Sequence, residues 1–126
     1  MTAPDGSQRD RKWIGEYGER VAADFLRAKG CRILARNFKA PRGGEVDIVA
    51  RDGNLLLFAE VKTRREGAKI RPLDAVDKPK QALIERGANA WLKQLGTREI
   101  PWRFDVIEVH LEDGAKPRVN HVRDAF

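Results

Sequence analysis

The chain has 126 residues, 41% of them apolar and 35% charged, which suits one hydrophobic core under a heavily charged surface. Lysine and arginine number 25 against 19 acids, and the resulting net charge of +6 favours polyanions such as nucleic acid. A single cysteine, Cys31, excludes an internal disulfide and a cysteine metal cluster. No stretch has the apolar length of a membrane span, and the opening MTAPDGSQRDRK carries no signal core. The expectation is a cytoplasmic protein with no membrane partner.

Residues 1–11, with Pro4, Gly6, Ser7 and several charges, read as a disordered tail ahead of a single domain over 12–126. Across 13–29, Ile14, Tyr17, Val21, Phe25 and Ala28 recur at helical spacing, and Gly30 follows as a C-cap. CRILARNF reads as a first strand, KAPRGG as a loop, EVDIVAR as a second strand and LLLFAEVKTR as a third. Residues 65–77 form a charged loop. A second helix starts near Pro79, carries Ile84, Ala88, Trp91 and Leu95 as its stripe and stops at Gly96. WRFDVIEVHL is a further strand, Asp113-Gly114 a turn and PRVNHV a short last strand. The order α-β-β-β-α-β(-β) predicts an α/β fold with a mixed sheet of four to five strands. The helices lie one on each face, or both on one.

Between the second and third strands, Asp52-Gly53 and Gly53-Asn54 are both favoured two-residue hairpin turns. Either one pairs odd-numbered residues with even-numbered ones, which brings Asp47, Glu60 and Lys62 onto one face with Asp47 opposite Phe58 or Glu60. A three-residue loop would undo this. The other face of the third strand, Leu55, Leu57, Ala59 and Val61, is wholly apolar, and the charged face itself begins with Leu56 and Phe58. Charges that appear only at the far end of a strand covered on both sides lie at a core rim or in a cleft. Two carboxylates ~4 Å apart repel by ~1 kcal/mol in water and ~4 kcal/mol at an effective dielectric of ~20, so such a cluster calls for a cation. Lys62 supplies one charge, and a hard divalent ion such as magnesium prefers carboxylate oxygens. A metal held by two acids lowers the pKa of its water and polarises a phosphoryl oxygen. A neighbouring lysine positions that water or stabilises the developing charge. The chemistry such a set would support is phosphodiester hydrolysis; the alternative reading of the same spacing is a solvated charged face.

GEVDIV followed by LLLFAEVKTR resembles the PD-(D/E)xK nuclease superfamily, whose motif is an acid on one strand and E-x-K on the next. From Trp13 to Val109 the chain resembles the YraN family of small bacterial proteins, and is similar to archaeal Holliday-junction resolvases. Val46, rather than proline, precedes Asp47. The resemblance implies a restriction-endonuclease-like core. Asp47 and Glu60 would be ligands to Mg2+ or Mn2+, Lys62 the catalytic lysine, and Glu19 the helical glutamate that completes the site. Because resolvases are dimers, it also implies a homodimer. From spacing alone Glu19 reads as a surface glutamate on the helix shoulder beside Ala22 and Leu26, within reach of the sheet.

Lys80, four residues before Ile84, continues the second helix's apolar stripe toward the sheet. It either contacts a DNA strand together with Gln81 at the helix N-terminus or covers the core with its stem. Arg64 extends the Glu60–Lys62 face, and Arg36, Arg42, Arg65, Lys69 and Arg71 are further phosphate candidates. Glu45 reads as a solvated residue at a strand start. Asp105 reads as a structural acid paired with Arg103 or a helix lysine. His110 and His121 lack ligand spacing, Trp91 reads as core, and Trp13 and Trp102 read as core, with base stacking as their alternative. The function expected is a metal-dependent endonuclease acting on duplex or branched DNA. The alternative is a non-catalytic nucleic-acid-binding accessory protein that keeps the fold.

Overall fold

The structure is a computed structural model that describes residues 11–65 and 76–126, with the side chain of Arg65 outside that description. The tail over 1–10 and the central part of the charged loop, with Lys69 and Arg71, fall outside the described residues. Helix α1 (Arg11–Ala28) is followed by strands β1 (Arg32–Lys39), β2 (Glu45–Asp52) and β3 (Leu55–Arg65). Helix α2 (Lys78–Leu95) and strands β4 (Trp102–Leu111) and β5 (Arg118–Val122) complete the chain. One five-stranded sheet runs in the order β1-β2-β3-β4-β5. It is antiparallel except where β3 and β4 run parallel, and α2 makes the crossover between them. This is the layout expected of the α/β, restriction-endonuclease-like core.

The helices take opposite faces. On the α1 face, Ala22, Ala23 and Leu26 pack with Ile48, Ala50, Leu57, Ala59, Val61, Ile107 and Val109. On the α2 face, Ile84, Ala88 and Leu92 pack with Val46, Val49, Leu56, Phe58 and Val106. Both stripes are rotated from those expected. In α1 the fully covered line is Gly18, Ala22 and Leu26, whereas Ile14, Tyr17, Val21 and Phe25 flank it and Ala28 is exposed. Small residues occupy the centre because the helix lies close to the sheet: a Cβ on Gly18 would sit 1.9 Å from Thr63 Oγ1. In α2 the stripe ends on Leu92, and Leu95 is 49% exposed.

Local signals set the element ends. Past α1, the Gly30 N–H donates to the Arg27 carbonyl and the Cys31 N–H to that of Leu26, with Gly30 at φ +91. Asp77 caps α2 by accepting from the Lys80 N–H at 3.0 Å, and Gly96 ends it at φ +82. Cys31 is buried, and burial pushes its thiol up. Trp91 packs against the α2-face core as expected, edge-on to Phe38. Trp102 does not: it is 38% exposed at the start of β4. No helix among the described residues is long and apolar enough to cross a membrane.

Candidate functional site

The hairpin uses the Gly53-Asn54 turn: Asp52 pairs with Leu55, and the ladder continues through Val49↔Phe58 to Ile48↔Ala59. Of the two turn residues only Gly53 has positive φ (+59), as a type II′ turn requires. The ladder then stops. β2 stays paired with β1 as far as Glu45, and β3 stays paired with β4 as far as Arg65, so the sheet opens between β2 and β3. The register puts Asp47 next to Glu60 at the mouth of this opening.

Asp47 does not follow simple alternation. Val46 and Val49, three residues apart, both belong to the α2-face core, while Ile48 between them belongs to the other. The same break occurs in β1, where Ala35 and Phe38 both join the α2-face core and Asn37 between them adopts φ +53. Asn37 and Asp47 occupy the same level, between the pairs Arg36↔Ile48 and Phe38↔Val46. With the strand twisted there, the Asp47 carboxylate enters the gap in the sheet, where Oδ2 accepts the Val61 N–H at 2.9 Å. A side chain thus replaces a ladder bond that the diverging strands cannot make.

Glu60 follows Phe58 on the α2 face and is 4% exposed. Two ammonium groups approach its Oε1, Lys62 Nζ at 3.7 Å and Lys80 Nζ at 3.7 Å, and Oε2 has no hydrogen-bond partner. Burial first, then the charge of Asp47, pushes the Glu60 carboxyl up to about 8, against the pull of Lys80 and Lys62. The two ammonium groups thus do not offset burial and the Asp47 charge at Glu60.

Lys80 belongs to the cluster: its ammonium bonds Glu45 and faces Glu60. Burial pulls it down, but Glu45, Glu60 and Asp47 outweigh that and hold it above its ordinary value. Glu45 in turn is lowered, chiefly by the bond from Lys80, so it is a partnered member of the site rather than a solvated strand start. The helix is seated by glycine against glycine. A Cβ on Gly44 would lie 2.4 Å from the Gly87 N, and one on Gly87 would lie 2.8 Å from Val46 Cγ2. This close crossing brings the first turn of α2 over the opening. The Asp77 side chain caps the Lys80 N–H at that end, and the Lys80 ammonium is what α2 turns toward Glu45 and Glu60.

Glu19 stands one turn before the buried Ala22 and is half-buried. Burial, followed by the charge of Asp47, raises its carboxyl, while a hydrogen bond from the Asn37 side chain and the charge of Arg36 oppose the rise. The α1 glutamate is thus electrically coupled to the β2 acid. Gln81 turns elsewhere, its Nε2 donating to the Val76 carbonyl at 3.1 Å. Arg64 is turned toward Glu108 on β4, 3.7 Å away, too far for a hydrogen bond, and its buried Nε and one terminal nitrogen have no hydrogen-bond partner.

Three features escape the sequence reading. Asn37 is hidden inside an apparently regular strand, its only signal being asparagine's tolerance of positive φ. Glu108 is 4% exposed and bonds the His110 ring beside Lys62. Asp105 accepts from Arg103 Nε at 2.7 Å, as expected, and also meets His121 at 2.7 Å and the Asp124 N–H at 3.0 Å. Among the described residues, no three or more acids, histidines or cysteines gather to hold a metal. The Asp47–Glu60 pair offers two carboxylates, one with an unpartnered buried oxygen. That fits magnesium or manganese, which commonly takes one or two carboxylates and fills its shell with water and substrate phosphate.

A mixed α/β sheet opened between two central strands, with acids on both and lysines at the rim, defines the class: an α/β protein of the restriction-endonuclease-like layout with a carboxylate–lysine cleft. The family described as uncharacterised protein family UPF0102 matches residues 18–109. The chain is 49% identical to a UPF0102 protein of Trichlorobacter lovleyi over 90% of this chain and 89% of that protein. It is 44% identical to one of Geobacter sulfurreducens over 100% and 97%, and 44% identical to one of Symbiobacterium thermophilum over 90% and 95%. The chain belongs to the UPF0102 family, also called the YraN family.

Proposed function

We propose that the protein is a metal-dependent deoxyribonuclease that hydrolyses phosphodiester bonds in branched or structured DNA, with the opening between β2 and β3 as its active site. The observation that carries this reading is Glu60: a buried acid beside Asp47, whose Oε2 has no hydrogen-bond donor and whose Oε1 meets Lys62 and Lys80 only at ion-pair distance, 3.7 Å each. A buried acid set beside a second, half-buried acid is costly in a fold that gains nothing from it, and a divalent ion would add to the charge that the two lysines supply.

Asp47 and Glu60 would hold Mg2+ or Mn2+, which when bound supplies a water of lowered pKa and polarises the phosphoryl oxygen. The Val61 N–H keeps the Asp47 carboxylate aimed into the gap. Lys62, on the same strand face as Glu60, orients the attacking water or balances charge developing on the phosphate. Lys80, tethered to Glu45, meets a phosphate oxygen of the bound strand. Glu19 and Asn37 close the α1 side of the opening. The net charge of +6 supplies attraction for the backbone.

The second reading, an accessory nucleic-acid binder, is favoured by one observation: among the described residues, no third ligand joins Asp47 and Glu60 in a group of three able to hold a metal. A cleavage screen separates the two. Duplex, single-stranded, flap and four-way-junction DNA are each incubated with the protein and magnesium or manganese. Metal-dependent cutting of the structured substrates is the expected result. Binding without cutting under every condition favours the accessory protein.

A further inference from the structure

We infer that the groove between the β1–β2 loop and α2 grips the sugar-phosphate backbone of a duplex DNA arm as that arm leaves the cleft. This rests on the nuclease reading and adds to it the path and form of the substrate. The groove encloses about 460 Å3. Buried Gly44 and half-buried Ala40 and Ala90 make its floor, and the exposed Arg42, Arg86 and Lys93 make its rim. Arg86, Ala90 and Lys93 recur at helical spacing, so α2 turns one face to the groove. The crossing of Gly44 over Gly87 holds loop and helix together beside it. Its cations carry no counter-charge. Lys62, Arg64, Lys80 and Arg103 all stand in ion pairs, whereas no ion pair among the described residues engages Arg42, Arg86 or Lys93. Glu45, Glu85 and Glu99, the acids nearest in sequence, are absent from its walls. Arg98 stands beside the groove and donates to Asn89 Oδ1 at 3.1 Å. That bond leaves the Asn89 amide nitrogen to donate into the groove, which Asn89 lines.

The mixture of groups selects the occupant. Among the described residues the groove has no aromatic ring to stack on a base and no carboxylate to accept from a base amino group. Its cations and the Asn89 amide suit phosphate oxygens, and its floor of small apolar residues suits deoxyribose. It therefore holds a strand by its backbone and leaves the bases paired. Position supports the assignment. The β1–β2 loop leads directly into Glu45, so the groove lies at the end of the sheet where β2 starts and β3 ends, the end that carries the cleft. From Lys80, α2 runs about 9 Å to Arg86 and about 20 Å to Lys93 at ~1.5 Å per residue. Those lengths match about three and about six steps of one DNA strand at ~3.4 Å each. A strand whose phosphate meets Lys80 thus passes Arg86 and then Lys93 on its way out. This continuity with the cleft favours DNA over an acidic peptide, which the charges alone would also admit.

The test is binding of the full chain to a labelled four-way junction across a salt series, with chelator present so that no strand is cut. The double variant Arg86→Ala, Lys93→Ala is expected to bind more weakly, with a log–log salt slope shallower by about 1.8, at ~0.9 for each of two phosphates released. Arg32→Ala removes an exposed cation from the opposite end of the sheet and leaves the slope unchanged. A second junction carries uncharged methylphosphonate linkages about three to six steps from the branch point, the span from Arg86 to Lys93. It should bind the wild type more weakly than the charged junction does, and the double variant should no longer distinguish the two. The wild-type comparison needs no variant, so it decides the matter even if the double variant fails to fold. A folded double variant with the wild-type slope, an equal loss in Arg32→Ala, or indifference of the wild type to the neutral linkages overturns the inference and leaves the nuclease reading standing. So does a polyglutamate peptide that the wild type binds and the double variant does not, with DNA binding the same in both, which would give the groove to an acidic protein segment. Failure of the wild type to bind the junction at low salt sinks the nuclease reading and this inference together.

Discussion

Asp47→Asn keeps an oxygen to accept the Val61 N–H but removes an anionic ligand. Outer-shell changes alone commonly cost roughly 10- to 100-fold in metal affinity, so this first-contact change should cost at least as much. Calorimetry with manganese on the wild type and the variant checks the value. Binding of the variant as tight as the wild type's would dismiss Asp47 as a ligand. DNA affinity of the same variant should hold or rise, because a negative charge beside the phosphate has gone. Lys80→Ala acts on the other side of the balance. Glu60 loses one of its two neighbouring cations and Glu45 loses its partner, so the variant should bind DNA more weakly in a fluorescence titration while folding normally by circular dichroism. At this scale the acids and the lysine were readable from an alternating pattern and a two-residue turn. The aim of the Asp47 carboxylate was not. It depends on where the β2–β3 ladder stops and on the twist at Asn37, both set by packing between elements rather than by the strand's own residues.

Between elements, two joints hold the site in shape. The first is the crossing of α2 over β2, where Gly44 meets the backbone of Arg86 and Gly87. Gly44→Ala should destabilise the fold by about 1–3 kcal/mol, because the new methyl meets backbone that cannot step aside. Thermal unfolding would show it as a lowered midpoint, and an unchanged midpoint would refute the close contact. The second joint is Asp105, which ties β4 to β5 and the C-terminal turn through Arg103, His121 and the Asp124 N–H. Burial opposes its ionisation, but those three hydrogen-bond partners outweigh burial and lower its pKa from 3.8 to about 2. A depressed carboxylate stabilises the fold fully above its unfolded pKa and loses that contribution as the pH falls through the folded value. The shift corresponds to roughly 2 kcal/mol, so the stability gap between wild type and Asp105→Asn should shrink between about pH 4 and pH 2. A gap that stays constant over that interval would contradict the assignment. Helix stripes were legible only approximately in the sequence. Large side chains mark the flanks of α1, and the line of closest approach is made of Gly18 and Ala22, which a hydrophobic pattern underweights.

For the molecule as a whole, element order was legible because its punctuation is local: Gly30, Gly53, Gly96 and Gly114 all adopt the positive φ their turns need. The assignment of the helices to opposite faces was not, since both arrangements bury the same stripes. The charge of +6 acts at this scale. DNA affinity should fall with salt along a log–log slope of about −0.9 per phosphate contacted on duplex, and a flat salt series would remove the polyanion from the account. The central claim is that the opening between β2 and β3 cuts DNA with a metal held by Asp47 and Glu60. It is tested most directly by single-turnover cleavage of a labelled four-way junction in manganese, with wild type, Asp47→Asn and Lys62→Ala compared side by side. Cutting by the wild type that chelator abolishes, with both variants slower by at least about 100-fold, is the predicted result. Wild-type rates in either variant, or cutting that survives chelation, would contradict it.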